Sequence, residues 1–217
     1  MQMEQKNRFH SRWSPPPRLP RAGDVRTELS EVELEISCAL NFALELRETR
    51  AQIVEHSSRV TAIASEIGQI LTTREGELQS LRTAARLHEI GMVAVPTELL
   101  TRAARLSTSE LDRVRTHATI GAEIVAPIHG PATARIIEHQ YTDYTALRET
   151  LSDEREILLA GILRVADVYD AMTSPRPYQP PVAEERWRRV LRAGSGTKFH
   201  PAAVYALLHI VRRARAS

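Results

Sequence analysis

Four histidines and two carboxylates of this chain fall on segments that are otherwise apolar: His56, His88, Glu89, His117, His139 and Asp167. Imidazole nitrogen together with carboxylate oxygen is the donor set of Zn, Mn and Fe sites, whereas Ca and Mg favour oxygen alone. His88 and Glu89 are adjacent. They close the pattern Leu78, Leu81, Ala85, His88, whose steps of three and four keep the side chains on one helical face. Gly91 follows at a position suited to stopping that helix. Gln52 and His56 are four apart and share a face of another helix. Asp167 interrupts the most apolar stretch of the chain, since only it and Arg164 are charged between Ile157 and Val168. It is therefore expected to be buried, and a buried carboxylate is costly unless paired or bound to a cation. A salt bridge to Arg164 or to a neighbouring helix is the competing expectation.

Helices must carry these groups. Ser30-Glu31-Val32-Glu33 has the form of a capping box and opens a first helix with Val32, Ile36, Leu40, Ala43 and Leu44 as its apolar stripe. A second helix is predicted from about Ala51 to Leu71, with Ile53, Val60, Ile63, Ile67 and Ile70 inward, and a third from about Glu75 to Ile90. An extended turn through Pro96 precedes a short helix from Thr97 to about Arg105. Ser107 and Glu110 form another start signal, leading to Leu111, Val114 and His117. Ile120, Ile124 and Val125 continue the pattern up to a break at Pro127 and Gly130-Pro131. Further helices are predicted over about Ala132–Tyr141, Asp153–Met172, Val182–Ala193 and Pro201–Arg213. A polar connection precedes Asp153, and a stiff Pro175-Arg176-Pro177-Tyr178 loop follows Met172. No segment has strand periodicity, so the fold is read as all-α.

The 217 residues are enough for one domain with a real core, and 42% hydrophobic with 26% charged residues is ordinary for a globular protein. Residues 1–28 lack periodicity and contain Pro15-Pro16-Pro17, so they are read as a flexible tail, leaving 29–217 as a helical domain. A net charge of +2 argues against general nucleic-acid binding. The arginine clusters near Trp187 and Arg213 read as solvated helix faces. No apolar run approaches the roughly 18 residues of a membrane span, and no secretory signal opens the chain. Cys38 is the single cysteine, which fits a reducing cytoplasm.

The order H…HE…H…H…D, with Ala85-Arg86-Leu87-His88-Glu89-Ile90-Gly91 at its centre, resembles the HD superfamily of metal-dependent phosphohydrolases. Arg164-Val165-Ala166-Asp167-Val168-Tyr169-Asp170-Ala171-Met172-Thr173-Ser174-Pro175-Arg176-Pro177-Tyr178 is similar to the matching HD-GYP pattern. So are His56-Ser57-Ser58-Arg59-Val60 and His117-Ala118-Thr119-Ile120-Gly121. The resemblance covers about residues 45 to 210. It implies a multi-helix HD-domain bundle with a metal site between helices. Active HD-GYP members hydrolyse cyclic di-GMP at two or three metal ions, often iron or manganese. The ligands it implies here are His56, His88, Glu89, His117, His139 and Asp167.

The match has departures. Gln52 stands where a glutamate is expected, Glu89 where the aspartate is, and Met92 in place of a lysine. His139-Gln140, or Glu138-His139 in a shifted alignment, replaces two successive histidines, and the Gly-Tyr-Pro signature is absent, with Tyr141-Thr142-Asp143-Tyr144 roughly in its place. Two carboxylates remain of three. Two negative charges balance one divalent ion and leave a second under-compensated. The expectation is one firmly held Fe, Mn or Zn ion on His56, His88, Glu89 and Asp167, with His117 and His139 a weaker second position. Arg176 and Arg59 are the expected phosphate contacts. The function implied is a divergent cyclic di-GMP signalling domain, a metal-dependent phosphodiesterase of cyclic di-GMP or a related nucleotide with reduced activity. The alternative is a non-catalytic module that senses a nucleotide or binds a signalling partner protein.

Overall fold

The computed structural model describes residues 50–72, 74–100, 106–174 and 181–216. The expected tail over 1–28, the helix opening at Ser30 and the Pro175–Tyr178 loop lie outside the described residues. Helix α1 (Arg50–Leu71) is followed by α2 (Glu75–Leu87), a 3-10 helix (Ile90–Ala94), α3 (Thr97–Leu100), α4 (Thr108–Arg115) and α5 (His117–Glu138). Then come α6 (Tyr144–Thr150), α7 (Glu154–Thr173), α8 (Glu184–Gly194) and α9 (Pro201–Ala216). The fold is all-α. Among the described residues the only β-type pairing is an isolated bridge between Ser195 and Phe199. Among them, too, no helix is long and apolar enough to cross a membrane.

The helix starts follow local chemistry. Ser107 caps α4 by accepting from the Glu110 backbone N–H, while the Glu110 side chain accepts from the Ser107 N–H, a complete capping box. Asp153 caps α7 through the Arg155 N–H. Four expectations need correction. The helix predicted to reach Ile90 ends at Leu87, and the extended turn predicted before Pro96 is a 3-10 helix. His117 does not continue the preceding helix but is the first residue of α5. The polar connection before Asp153 contains α6, which packs Leu147 against Ile157 and Ala160 of α7. Within the break expected at Pro127 and Gly130-Pro131, the kink falls at Gly130, whose φ of 80° and ψ of 167° join two helical pieces within α5.

α7 is the central element. It packs on α1, α2, α5, α6, α8 and α9, and Ile162, Leu163, Val165 and Ala166 on it are fully buried. Such a helix has apolar residues on most of its circumference because it faces neighbours on most sides. Opposite it, Val60, Ala64 and Ile67 come from α1, Leu81, Ala84 and Ala85 from α2, and Ile136 and Ile137 from α5. Tyr169 meets Trp187 of α8 edge to face, with centroids 5.0 Å apart, which ties α8 to the outer end of α7. α1 and α2 pack closely at Gly68, where a Cβ would lie 2.9 Å from both Leu78 and Leu81.

Gly91 has a role other than stopping a helix. A Cβ there would run into the His117 carbonyl oxygen and lie 2.7 Å from the Gly121 nitrogen. The 3-10 segment can therefore lie flat on the start of α5 only without a side chain at this position. Gly91→Ala is expected to destabilise the protein by ~1–3 kcal/mol, as overpacking against rigid backbone does. Gly76→Ala, where an added Cβ meets nothing, is expected to stabilise by ~0.4–1 kcal/mol. Urea unfolding of the two variants beside the parent checks both signs.

Candidate metal centre

Four chain segments deliver the polar groups to one place. His56 comes from α1, His88 and Glu89 from the turn after α2, His117 from the first position of α5, and Asp167 from α7. Successive side chains on a continuous helix diverge by about 100°. The end of α2 at Leu87 removes that restriction. His88 keeps helical angles (φ −60°, ψ −24°), and Glu89 leaves them (φ −93°, ψ 2°). The imidazole and the carboxylate can then face the same space, with His88 Nε2 and Glu89 Oε1 3.4 Å apart.

Each of the three histidines is held from behind through Nδ1. His88 Nδ1 donates to the Ala85 carbonyl at 2.8 Å, and His117 Nδ1 donates to the Val114 carbonyl at 2.8 Å. His56 Nδ1 donates to Asp170 Oδ2 at 2.7 Å. Carbonyls and carboxylates only accept, so Nδ1 carries a proton and Nε2 is the nitrogen turned inward. This is how metal-binding imidazoles are oriented.

The inward atoms crowd one another. His56 Nε2 is 3.3 Å from His88 Nε2, 3.2 Å from Asp167 Oδ1 and 3.8 Å from Glu89 Oε1. Ligands about 2.1 Å from a shared ion stand roughly 3–3.5 Å apart. The donor spacing therefore fits a transition-metal ion, and His56, His88 and Asp167 form a candidate metal-binding group. Glu89 faces two ways. Its Oε2 lies 3.5 Å from His117 Nε2, and these two buried atoms have no hydrogen-bond partner. Orphaned buried polar atoms are uncommon in folded proteins, and an ion is one of the things that satisfies them.

The electrostatics match a pocket awaiting positive charge. Burial alone would lower the His56 pKa, but its bonds to Asp167 and Asp170 and the Glu89 charge raise it to about 9. Burial alone would raise the Glu89 carboxyl, yet His88, His117 and His56 hold it down at about 2. Tyr141 meets the His117 ring edge to face at 5.5 Å. Burial and then the charges of Glu89 and Asp167 push its hydroxyl far up, so it remains a neutral phenol.

Other expected residues lie elsewhere. Asp167 is only partly buried, and Arg164 does not pair with it. Arg164 reaches Asp143 at 2.7 Å and the Gln140 carbonyl at 3.3 Å instead. His139 caps the end of α5, with Nδ1 3.4 Å from the Thr142 hydroxyl, and it is outside the group of mutually close donors. Arg59, expected at a phosphate, has its guanidinium on Asp170 at 2.6 and 3.0 Å. Met92 is partly buried in the 3-10 helix. Arg176 and the Gln52 side chain lie outside the described residues. Gln140 is fully buried, and its amide donates to the His88 carbonyl at 3.0 Å. Sequence reasoning missed Gln140 as a support of the pair and Asp170 as the partner of His56. The spacing of Asp170 from Asp167 was the available signal, because i,i+3 residues share a helical face.

A model of the HD domain matches residues 43–202. The chain belongs to the HD domain family. Within it the chain is HD-GYP-like, in keeping with its relatives. It is 30% identical over 195 residues to a cyclic di-GMP phosphodiesterase of Thermotoga maritima, covering 87% of this chain and 52% of the relative. It is also 30% identical over 188 residues to a cyclic di-GMP phosphodiesterase response regulator of Xanthomonas campestris, covering 83% and 49%. A 3'3'-cGAMP-specific phosphodiesterase of Vibrio cholerae is 26% identical over 196 residues, covering 85% and 36%. The chain thus spans about half the length, or less, of these relatives.

In metal-free protein the His56 proton takes the place of a cation. Its folded pKa of about 9 exceeds the unfolded value of 6.5, so the native state binds more protons between these values. The associated stability is fully present below pH 6.5 and is lost as pH rises through 9. Chelator-treated protein is expected to melt at progressively lower temperature across this window, and His56→Gln is expected to flatten the slope. Zn²⁺ binding at pH 7.5 is expected to release about one proton, which calorimetry in buffers of different ionisation enthalpy measures.

Proposed function

We propose that this HD domain is a metal-dependent phosphodiesterase acting on a cyclic dinucleotide, cyclic di-GMP or a close relative, in cytoplasmic signalling. The observation that carries the reading is the convergence of His56 Nε2, His88 Nε2 and Asp167 Oδ1, separated by 3.2 and 3.3 Å, in a domain whose relatives bear cyclic-dinucleotide phosphodiesterase names. His56, His88 and Asp167 would hold the first ion with Glu89 Oε1. Two imidazoles and carboxylates favour Fe, Mn or Zn over Mg or Ca. A divalent ion there supplies Lewis-acid polarisation of a phosphoryl oxygen and a water of lowered pKa.

The protein's own groups would do the rest. The backbone anchors behind His88 and His117 keep both rings from rotating, so no reorganisation is needed at the moment of reaction. The neutral Tyr141 phenol beside His117 is a donor, not a competing anion, and suits a phosphate oxygen. Glu89 Oε2 and His117 Nε2 form the beginnings of a second ion position, with one carboxylate oxygen and one imidazole. That set is thin, so one ion should be held firmly and a second only weakly.

A second reading, a nucleotide-binding module without turnover, is favoured by one observation. Gln140 spends its amide on the His88 backbone and His139 turns to Thr142, so neither adds to the second position.

Metal analysis of protein purified without chelators is expected to give one tightly held ion per chain. Two or more would contradict the ligand count. The Mn²⁺-loaded protein incubated with cyclic di-GMP should yield linear product, and Asp167→Ala should lower the rate by at least ~10²-fold. Saturable nucleotide binding without product would select the second reading. The absence of both with either cyclic dinucleotide would overturn the proposal.

A further inference from the structure

The Asp170 carboxylate is 2% exposed, and all its acceptor capacity is in use. Oδ2 receives His56 Nδ1 at 2.7 Å and Arg59 Nη2 at 3.0 Å. Oδ1 receives Arg59 Nε at 2.6 Å and the Ser174 hydroxyl at 2.7 Å. An ionised carboxylate offers about four lone-pair positions, so none remains for an ion or a substrate. The geometry makes Asp170 an orienting group and not a ligand.

The register explains why it can orient so tightly. His56 and Arg59 are three apart on one face of α1, which meets Asp170 across the α1–α7 contact, while Ser174, the residue that caps the end of α7, turns its hydroxyl back to Asp170. The paired guanidinium offsets the Asp170 charge with a planar fork of two parallel bonds, the geometry in which Arg surpasses Lys. Asp170 can therefore hold an imidazole without adding net negative charge to the pocket.

We infer that Asp170, fixed by Arg59 and Ser174, is the positioning residue that keeps His56 as an Nε2 donor, and that Arg59 serves this clamp and not a substrate phosphate. The inference rests on the metal-site reading for its consequence, but not for its geometry. Removing such a partner of a ligating histidine typically costs 10–100-fold in metal affinity.

The test uses the full chain. Asp170→Asn, Arg59→Lys and Ser174→Ala are compared with the parent for Zn²⁺ affinity, for melting midpoint, and for the ¹⁵N shifts of the His56 ring. The shifts are recorded without metal at pH 10, above the His56 pKa of about 9, and are assigned through His56→Gln. In the parent the shifts should report a single tautomer with the proton on Nδ1. Asp170→Asn should mix the tautomers and weaken Zn²⁺ binding by ~10–100-fold. Arg59→Lys should weaken it by less, and Ser174→Ala least.

A folded Asp170→Asn protein with unchanged His56 shifts and Zn²⁺ affinity within twofold of the parent would overturn the inference. So would an Arg59→Lys protein whose cyclic di-GMP affinity falls while its Zn²⁺ affinity stays at the parent value. If Asp170→Asn does not fold, Ser174→Ala and Arg59→Lys decide by the same two readouts. If the parent binds no Zn²⁺, the metal reading fails, while a mixed tautomer in the parent would separately sink the positioning role.

Discussion

The meeting of α1 and α7 around His56, Asp167 and Asp170 is the constraint on which the rest of the site depends. Three ionisable groups are drawn into a poorly solvated space, where each alone would be costly. The chain resolves the conflict in two layers. Arg59 and Ser174 satisfy the buried Asp170 completely, which leaves His56 pinned but still basic. The inner atoms of His56, His88, Glu89 and Asp167 are satisfied less well, and that residual demand for positive charge is what a proton or a metal ion can meet. The apolar face of α7 makes this possible, because Ile162, Leu163 and Ala166 pack the helix rigidly beside the polar residues.

A second consequence concerns the turn after α2. His88 and Glu89 reach the pocket because the helix stops one residue before them, and the stop is enforced from outside. Gly91 lies against the start of α5, and the buried Gln140 amide, from just past the far end of α5, binds the His88 carbonyl. Both ends of α5 thus grip the same turn, and the first residue of that helix, His117, faces Glu89. Gln140 in a position where the resemblance implies a histidine trades a donor to an ion for a support of one. Met92, in place of a lysine, is partly buried in the 3-10 helix and brings no charge to the pocket.

The broad architecture was readable in the residues. Steps of three and four located α1, α2, α7, α8 and α9 to within a few residues, and Ser107–Glu110 and Asp153 marked helix starts that the structure uses. The failures came where local pattern and tertiary contact diverge. Gly91 looked like a helix terminator, but its meaning is close approach to a carbonyl distant in sequence. The stretch before Asp153 looked like a polar connection, yet it forms α6 because Leu147 finds Ile157 and Ala160 of α7 to pack on. Arg59 was expected as a phosphate contact, and its pairing within the chain had no local signal. Its partner proved to be a carboxylate of the protein itself.

The sequence by itself determined the helical class, the order H…HE…H…H…D and the chemical type of the donors. These depend on periodicity and residue identity, which are local properties. Only the tertiary structure decided which donors share a space, which nitrogen each histidine presents, and which charges are already neutralised. Those properties depend on distances of 2.6 to 3.8 Å between residues up to 114 positions apart, and no spacing rule along a chain specifies contacts at that range. Asp167 and Asp170 make the point together. Three residues apart on one helix and alike in chemistry, one faces the shared pocket, while the other is locked behind His56 by an arginine from α1.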